Sequence, residues 1–122
     1  MKFIKKEIVE TTIANEDVND LPSIISIVES IYKQKIDISI SFNKMNGSSL
    51  QLYEHKKARI DVIDKEKMTF DITSVCGSSY TVKVKSIAIN SIVKIEVFVN
   101  DSNQFARRDN VTRIDMLDIS KD

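Results

Sequence analysis

The sequence predicts a mainly β domain: a small, closed or nearly closed five-stranded barrel entered from one N-terminal amphipathic helix. Three observations carry this reading. Residues 36–99 fall into five short alternating apolar runs that hold almost no Gly or Pro. Ahead of them, from about residue 21 to 34, apolar residues recur at spacings of three and four. The last two runs, Val82–Ile89 and Ile92–Val99, are joined only by Asn90-Ser91. A flat sheet of this size would leave its edges exposed and bury little, whereas closure removes the edges and encloses the apolar rows.

The helix has local start signals. Asp20 can accept hydrogen bonds from the first free backbone N–H groups, and Pro22 suits a first turn, where no N–H is needed. Leu21, Ile24, Ile25, Val28, Ile31 and Tyr32 form the apolar stripe, with Ser23, Ser26, Glu29, Ser30 and Lys33 on the other side. Upstream, Phe3, Ile4, Ile8, Val9 and Ile13 have no clean period, and β-branched Val9, Thr11 and Thr12 favour a strand or an irregular arm.

Ile36 to Phe42 alternates without a fault, which predicts one buried and one wet face. Asn46-Gly47 is a hairpin signal, since both residues tolerate positive φ. Leu50, Leu52 and Tyr53 resume the apolar pattern, Glu54-His55-Lys56-Lys57 interrupts it, and Ala58, Ile60 and Val62 resume it again. That is one long bent strand, or two strands and a bulge. Asp64–Lys67 is a charged turn. Met68, Phe70 and Ile72 alternate out of it, and Cys76–Ser79 turns the chain once more. Tyr80, Val82 and Val84 form an inward set with Thr81, Lys83 and Lys85 opposed. In the last strand Val93, Ile95, Val97 and Val99 oppose Lys94 and Glu96. Residues 1–20 thus read as an arm, 21–99 as helix and barrel, and 100–122 as a tail or extra element. Within that tail, Val111 to Ile119 suits a strand or a short helix.

At 122 residues, 42% hydrophobic and 30% charged, the chain has the size of one domain and the composition of neither a disordered tail nor a membrane protein. No apolar run approaches the roughly 20 residues of a spanning helix. Met1–Glu7 lacks the apolar core of a signal peptide, so a cytoplasmic location and no membrane partner are expected. The richness in Ile, Lys, Ser and Asn suits an AT-rich genome, a viral one among them. Net charge is zero but uneven: residues 1–32 net −3, residues 33–98 net +4 and residues 99–122 net −1. A mildly basic centre permits nucleic-acid contact without demanding it.

Catalytic and metal chemistry find little support. Asp61 and Asp64, three apart in a strand, point to opposite faces and cannot share a proton. Asp115 and Asp118 read as a solvated tail. His55 and Cys76 are the only soft ligands, too few for a metal site, and His55 reads as an exposed loop residue. The only glycines are Gly47 and Gly77, so no Gly-rich phosphate loop exists. A non-enzyme without cofactor is the expectation.

The order of helix, four strands, very short link and fifth strand, from Leu21 to Val99, resembles the Sm-like fold of SH3-type small barrels. That family includes the RNA-binding ring proteins of splicing and the bacterial chaperone Hfq. Two runs carry the resemblance. Ala58-Arg59-Ile60-Asp61-Val62-Ile63-Asp64-Lys65-Glu66-Lys67-Met68-Thr69 is similar to the second-to-third-strand hairpin of the first Sm motif. Tyr80 to Phe98 is similar to the last two strands and their link. Thr69 stands where the family usually has a base-contacting Asn, and Ile89-Asn90-Ser91 lacks the Arg-Gly of many second motifs. The resemblance implies an oligomeric, RNA-binding barrel whose pore-facing turn would here hold Lys65 and Lys67.

The nucleic-acid candidates are therefore Lys65, Lys67, Thr69, Lys83, Lys85 and Asn90, with Lys56, Lys57 and Arg59 as a second cluster and Tyr53 as the free aromatic. Phe42, Phe70 and Tyr80 read as core. The candidate subunit interface is the last strand, through Val93, Ile95, Val97 and Val99. The expected function is a homo-oligomeric scaffold or adaptor with RNA as a candidate ligand. The alternative is a monomeric protein-interaction module with no nucleic-acid role.

Overall fold

The computed structural model describes residues 1–7, 12–76 and 80–98. The readings for Val99 and for residues 111–119 lie outside the described residues. The chain runs β1 (Lys2–Lys6), β2 (Thr12–Asp17), α1 (Leu21–Gln34), β3 (Ile38–Asn46), β4 (Ser49–Asp64), β5 (Thr69–Cys76), β6 (Tyr80–Ala88), a single 3₁₀ turn (Ile89–Ser91) and β7 (Ile92–Phe98).

The helix forms where its local signals lie. The Asp20 carboxylate accepts from the Ser23 backbone N–H at 3.0 Å, and its bonds to the Ser23 side chain and backbone hold its pKa below the ordinary carboxylate value. At the far end Lys35 takes the left-handed conformation, φ 54°, and donates its N–H to the Ile31 and Tyr32 carbonyls. The buried face is Ile24, Ile27, Val28 and Ile31. Leu21 and Tyr32, assigned to that stripe from sequence, are each 39% exposed. The stripe centres on Ile27, so its flanks turn to solvent.

Among the described residues the fold is mainly β with one helix, and all seven strands join one open sheet in the order β2-β1-β7-β3-β4-β5-β6. Three expectations are corrected here. The sheet is open rather than closed into a barrel, it has seven described strands rather than five, and the helix follows two strands rather than leading the fold. The extra strands come from the expected arm. β1 pairs parallel with β7, Phe3 opposite Ile95 and Lys5 opposite Val97, while β2 pairs antiparallel with β1. Phe3 and Lys5 turn inward, at 2% and 1% exposure.

Bulges set which face each side chain takes. Between β3 and β4, Ile38 pairs with Ala58 but Ile40 with His55, so Lys56 and Lys57 together oppose Ser39. The extra residue lets β4 bend and keeps both His55 and Ala58 on the core side. A second bulge, at Asp61, turns Val62 outward. The β3–β4 turn is Gly47-Ser48, one residue later than Asn46-Gly47. Only Gly47 has positive φ (65°), at the first central position, where a type II′ turn places glycine. Ser39 and Ser41, expected to be wet, are 7% and 5% exposed. Their neighbours across the ladder, Glu96, Lys94 and Glu54, are long and ion-paired and stand over them.

The core joins Ile24, Ile27, Val28 and Ile31 of α1 to Ile38, Ile40, Phe42, Ala58, Ile60, Phe70, Ile72, Ile87, Ile89, Ile95 and Val97 of the sheet and its link. Among the described residues, no helix is long and apolar enough to cross a membrane.

Candidate functional site

The first group of candidates gathers at one corner because two tight connections meet there. The Asp64 carboxylate accepts from the Glu66 and Lys67 backbone N–H groups at 3.1 and 3.0 Å, which folds the β4–β5 turn over itself. Met68 closes that turn at φ 57°. Its carbonyl accepts from the Ile89 N–H at 2.9 Å, so the turn is bonded to the 3₁₀ link. Lys65, Lys67, Thr69 and Asn90 thus stand around one corner. Lys67 and Asn90 are exposed, and Thr69 is half-buried in the ladder opposite Asp64 and Ala88. The Lys65 ammonium lies 2.5 Å from the Glu29 carboxylate of α1, which offsets its charge.

Lys83 and Lys85 stand apart from that corner, further along β6. Lys83 is in register with Thr73 of β5, and Thr73 with Arg59 of β4. These residues lie on the outer face, where Asp37, Lys57, Arg59, Asp61, Thr73 and Val75 line an open groove of about 390 Å³. Its charges largely cancel. Arg59 donates to Asp37 at 3.1–3.2 Å, Lys57 lies 4.0 Å from the same carboxylate, and Thr73 donates to Asp61 at 2.6 Å. The cluster of Lys57 and Arg59 is therefore a self-neutralised surface rather than a free basic patch.

The aromatic assignments change places. Tyr53 stacks on Phe42 with ring centroids 5.9 Å apart and packs against the core. Tyr80, read as core from its alternation, is 63% exposed, because it starts β6 opposite Cys76 where no other element covers it. The exposed ring of the site is thus Tyr80, on the same strand as Lys83 and Lys85.

The pairing strand is corrected as well. Both edges of β7 are taken within the chain, by β1 on one side and β3 on the other. Ile95 and Val97 are fully buried core residues. Val93 is pushed out by a bulge, since Ser41 pairs with Lys94 and Phe42 with Ile92, and it is 40% exposed.

His55 is not a loop residue. It lies within β4, stacks on Phe42 at 5.7 Å, and its Nδ1 lies 2.8 Å from the buried Ser74 hydroxyl. Burial pushes its pKa below the ordinary imidazole value. Ser74 is also 3.9 Å from the exposed Cys76 thiol, while Ser74 itself is 1% exposed and ties β5 to β4 through His55. Elsewhere Glu96 forms an ionic seam. Burial opposes its ionisation, but Lys6 at 2.6 Å and Lys94 at 3.5 Å outweigh that and hold its carboxyl below the ordinary range. Among the described residues, no group of three or more His, Cys, Asp or Glu side chains is placed to hold a metal ion.

No family model, no curated protein and no solved structure matches this chain.

Proposed function

We propose that the chain is a non-enzymatic scaffold with an Sm-like succession of elements that works as a homo-oligomer. The observation that carries this reading is the open sheet. β2 and β6 are its outermost strands, and among the described residues nothing pairs with their outer edges. Unpaired strand edges are templates for another strand, and a second copy always supplies one. The Sm-like part draws support from the last five strands. The helix ahead of β3, the four strands β3 to β6 and the one-turn link before β7 follow the chain order on which the resemblance rests. β1 and β2 are additions to it, and they move the free edge away from β7.

The test is the absolute mass of the full chain by light scattering over a range of concentrations. A mass of several chains supports the scaffold. A monomer at every concentration overturns it and leaves the monomeric interaction module.

Lys83 and Lys85 on one face of β6 favour RNA as a second ligand, since neighbouring cations on one strand can neutralise successive phosphates. Fluorescence anisotropy with a short U- or A-rich RNA reads this directly. Binding that weakens with salt and falls in Lys83→Glu supports it. Binding that ignores both changes rules out β6 as the contact.

A further inference from the structure

The two open edges carry opposite charge. β2 reads Thr-Ile-Ala-Asn-Glu-Asp, with Glu16 and Asp17 and no Lys or Arg. β6 reads Tyr-Thr-Val-Lys-Val-Lys-Ser-Ile-Ala, with Lys83 and Lys85 and no Asp or Glu. Asp17 and Lys83 also share the outer face. Asp17 is in register with Lys2, Lys94 and Ser41, and Lys83 with Thr73 and Arg59.

We infer that copies of this chain join head to tail, β2 of one copy adding to β6 of the next. The inference rests on the proposed self-association and specifies its geometry. Pairing β2 with β2, or β6 with β6, adds a strand of the same charge and offers neither Asp17 nor the lysines a counter-charge across the new ladder. Pairing β2 with β6 places Asp17 beside the lysines, which both steers encounter and selects register. The open stretch of β6 is its first part. Near its end, Lys44 donates to the Lys85 carbonyl at 2.7 Å, and Ser86, at φ 58°, donates its N–H to Asp71 at 2.9 Å. Such a bulge and side-chain bond are the means by which strand edges are blunted. Tyr80–Val84 carries neither, and its length suits the six residues of β2. On β2, Asp17 is held only loosely by Lys2, 3.5 Å away, with both side chains more than half exposed. A β2-to-β6 junction is heterologous, so it closes into a ring if successive rotations complete a turn and otherwise extends as a filament.

The experiment uses two full-length variants, Asp17→Lys and the double variant Lys83→Glu with Lys85→Glu, each shown to be folded by far-UV circular dichroism. Light scattering then follows each variant alone and the equimolar mixture. Each variant alone should associate about tenfold or more weakly than the parent chain. The mixture should regain mass, since the new outer-face cation on β2 of one variant meets the acidic β6 of the other. Variants that assemble like the parent, or a mixture that stays monomeric while the parent assembles, overturn the β2-to-β6 junction and leave self-association standing. A monomeric parent chain overturns the underlying reading itself.

Discussion

The two halves of β4 share one backbone conformation and have opposite fates. In the first half Leu50 and Leu52 are 65% and 62% exposed, and in the second Ala58 and Ile60 are 1% and 3% exposed. Hydrophobicity does not separate them, because two leucines are at least as apolar as an alanine and an isoleucine. Cover does. From Ala58 onward β4 pairs with β5 and lies in the core with α1. Before Ala58 it pairs only with β3, and beyond Phe42 β3 has itself left β7 behind. Asn43 to Leu52 therefore projects as a two-stranded ribbon, with Met45 and Leu50 facing each other across it. Apolar character makes burial favourable, but a side chain is buried only where the topology brings a second layer.

The comparison is open to direct attack, and the largest effect should come from the covered half. Ile60→Ala should cost about 2–5 kcal/mol, because it leaves a cavity in a packed core. Urea denaturation checks this, and a loss within 0.5 kcal/mol would mean that the second half of β4 is no better packed than the first.

Gly47→Ala should cost about 1–2 kcal/mol, since Gly47 sits at φ 65°. No atom lies within 4 Å of the added Cβ, so backbone strain alone is at stake. Amide exchange should show the loss in residues 44–51 and leave Ile60 protected. An equal loss at both would make the ribbon part of the cooperative core.

His55 marks the junction of the two halves and adds a pH dependence. Burial lowers its folded pKa below 6.5, so below that pH the unfolded chain binds a proton that the folded chain refuses. This contribution is complete above about pH 6.5 and is lost as the pH falls through the lowered folded value. His55→Phe keeps the stack on Phe42 and should flatten the stability profile over that window. An unchanged slope would show that the imidazole is as wet as the ribbon beside it.

The smallest effect belongs to the ribbon. Leu52→Ser should change stability by no more than about 0.5 kcal/mol, within the range of surface substitutions. A loss near that of Ile60→Ala would mean that something covers the ribbon.

Much of the molecule was legible wherever its signals are local. The helix runs from Leu21 to Gln34 because an Asp cap, a first-turn proline and a spacing of three and four all act within a few residues. The charged turn at Asp64 and the short link at Asn90 were visible for the same reason. The candidate residues were harder to place. Lys65, Lys67, Thr69 and Asn90 meet because β5 pairs with β6 and Ile89 bonds to Met68, 21 positions earlier. Tyr53 and Tyr80 exchanged roles because alternation reports which side of a strand a residue takes, not whether anything stands over that side.

By itself, then, the sequence determined the element types from Leu21 onward, the mainly β class and the buried identity of residues such as Phe42 and Phe70, since periodicity and capping are properties of neighbours along the chain. Tertiary structure alone decided three things. Single-residue bulges reset the inward and outward phase of β4 and β7. Long ionic side chains covered the serines of β3. Above all, β1 crossed some ninety positions to pair with β7. A parallel partner at that distance leaves no local mark, because backbone pairing uses groups that every residue carries. That one contact fills the edge that periodicity pointed to, and makes β2 and β6 the edges that remain.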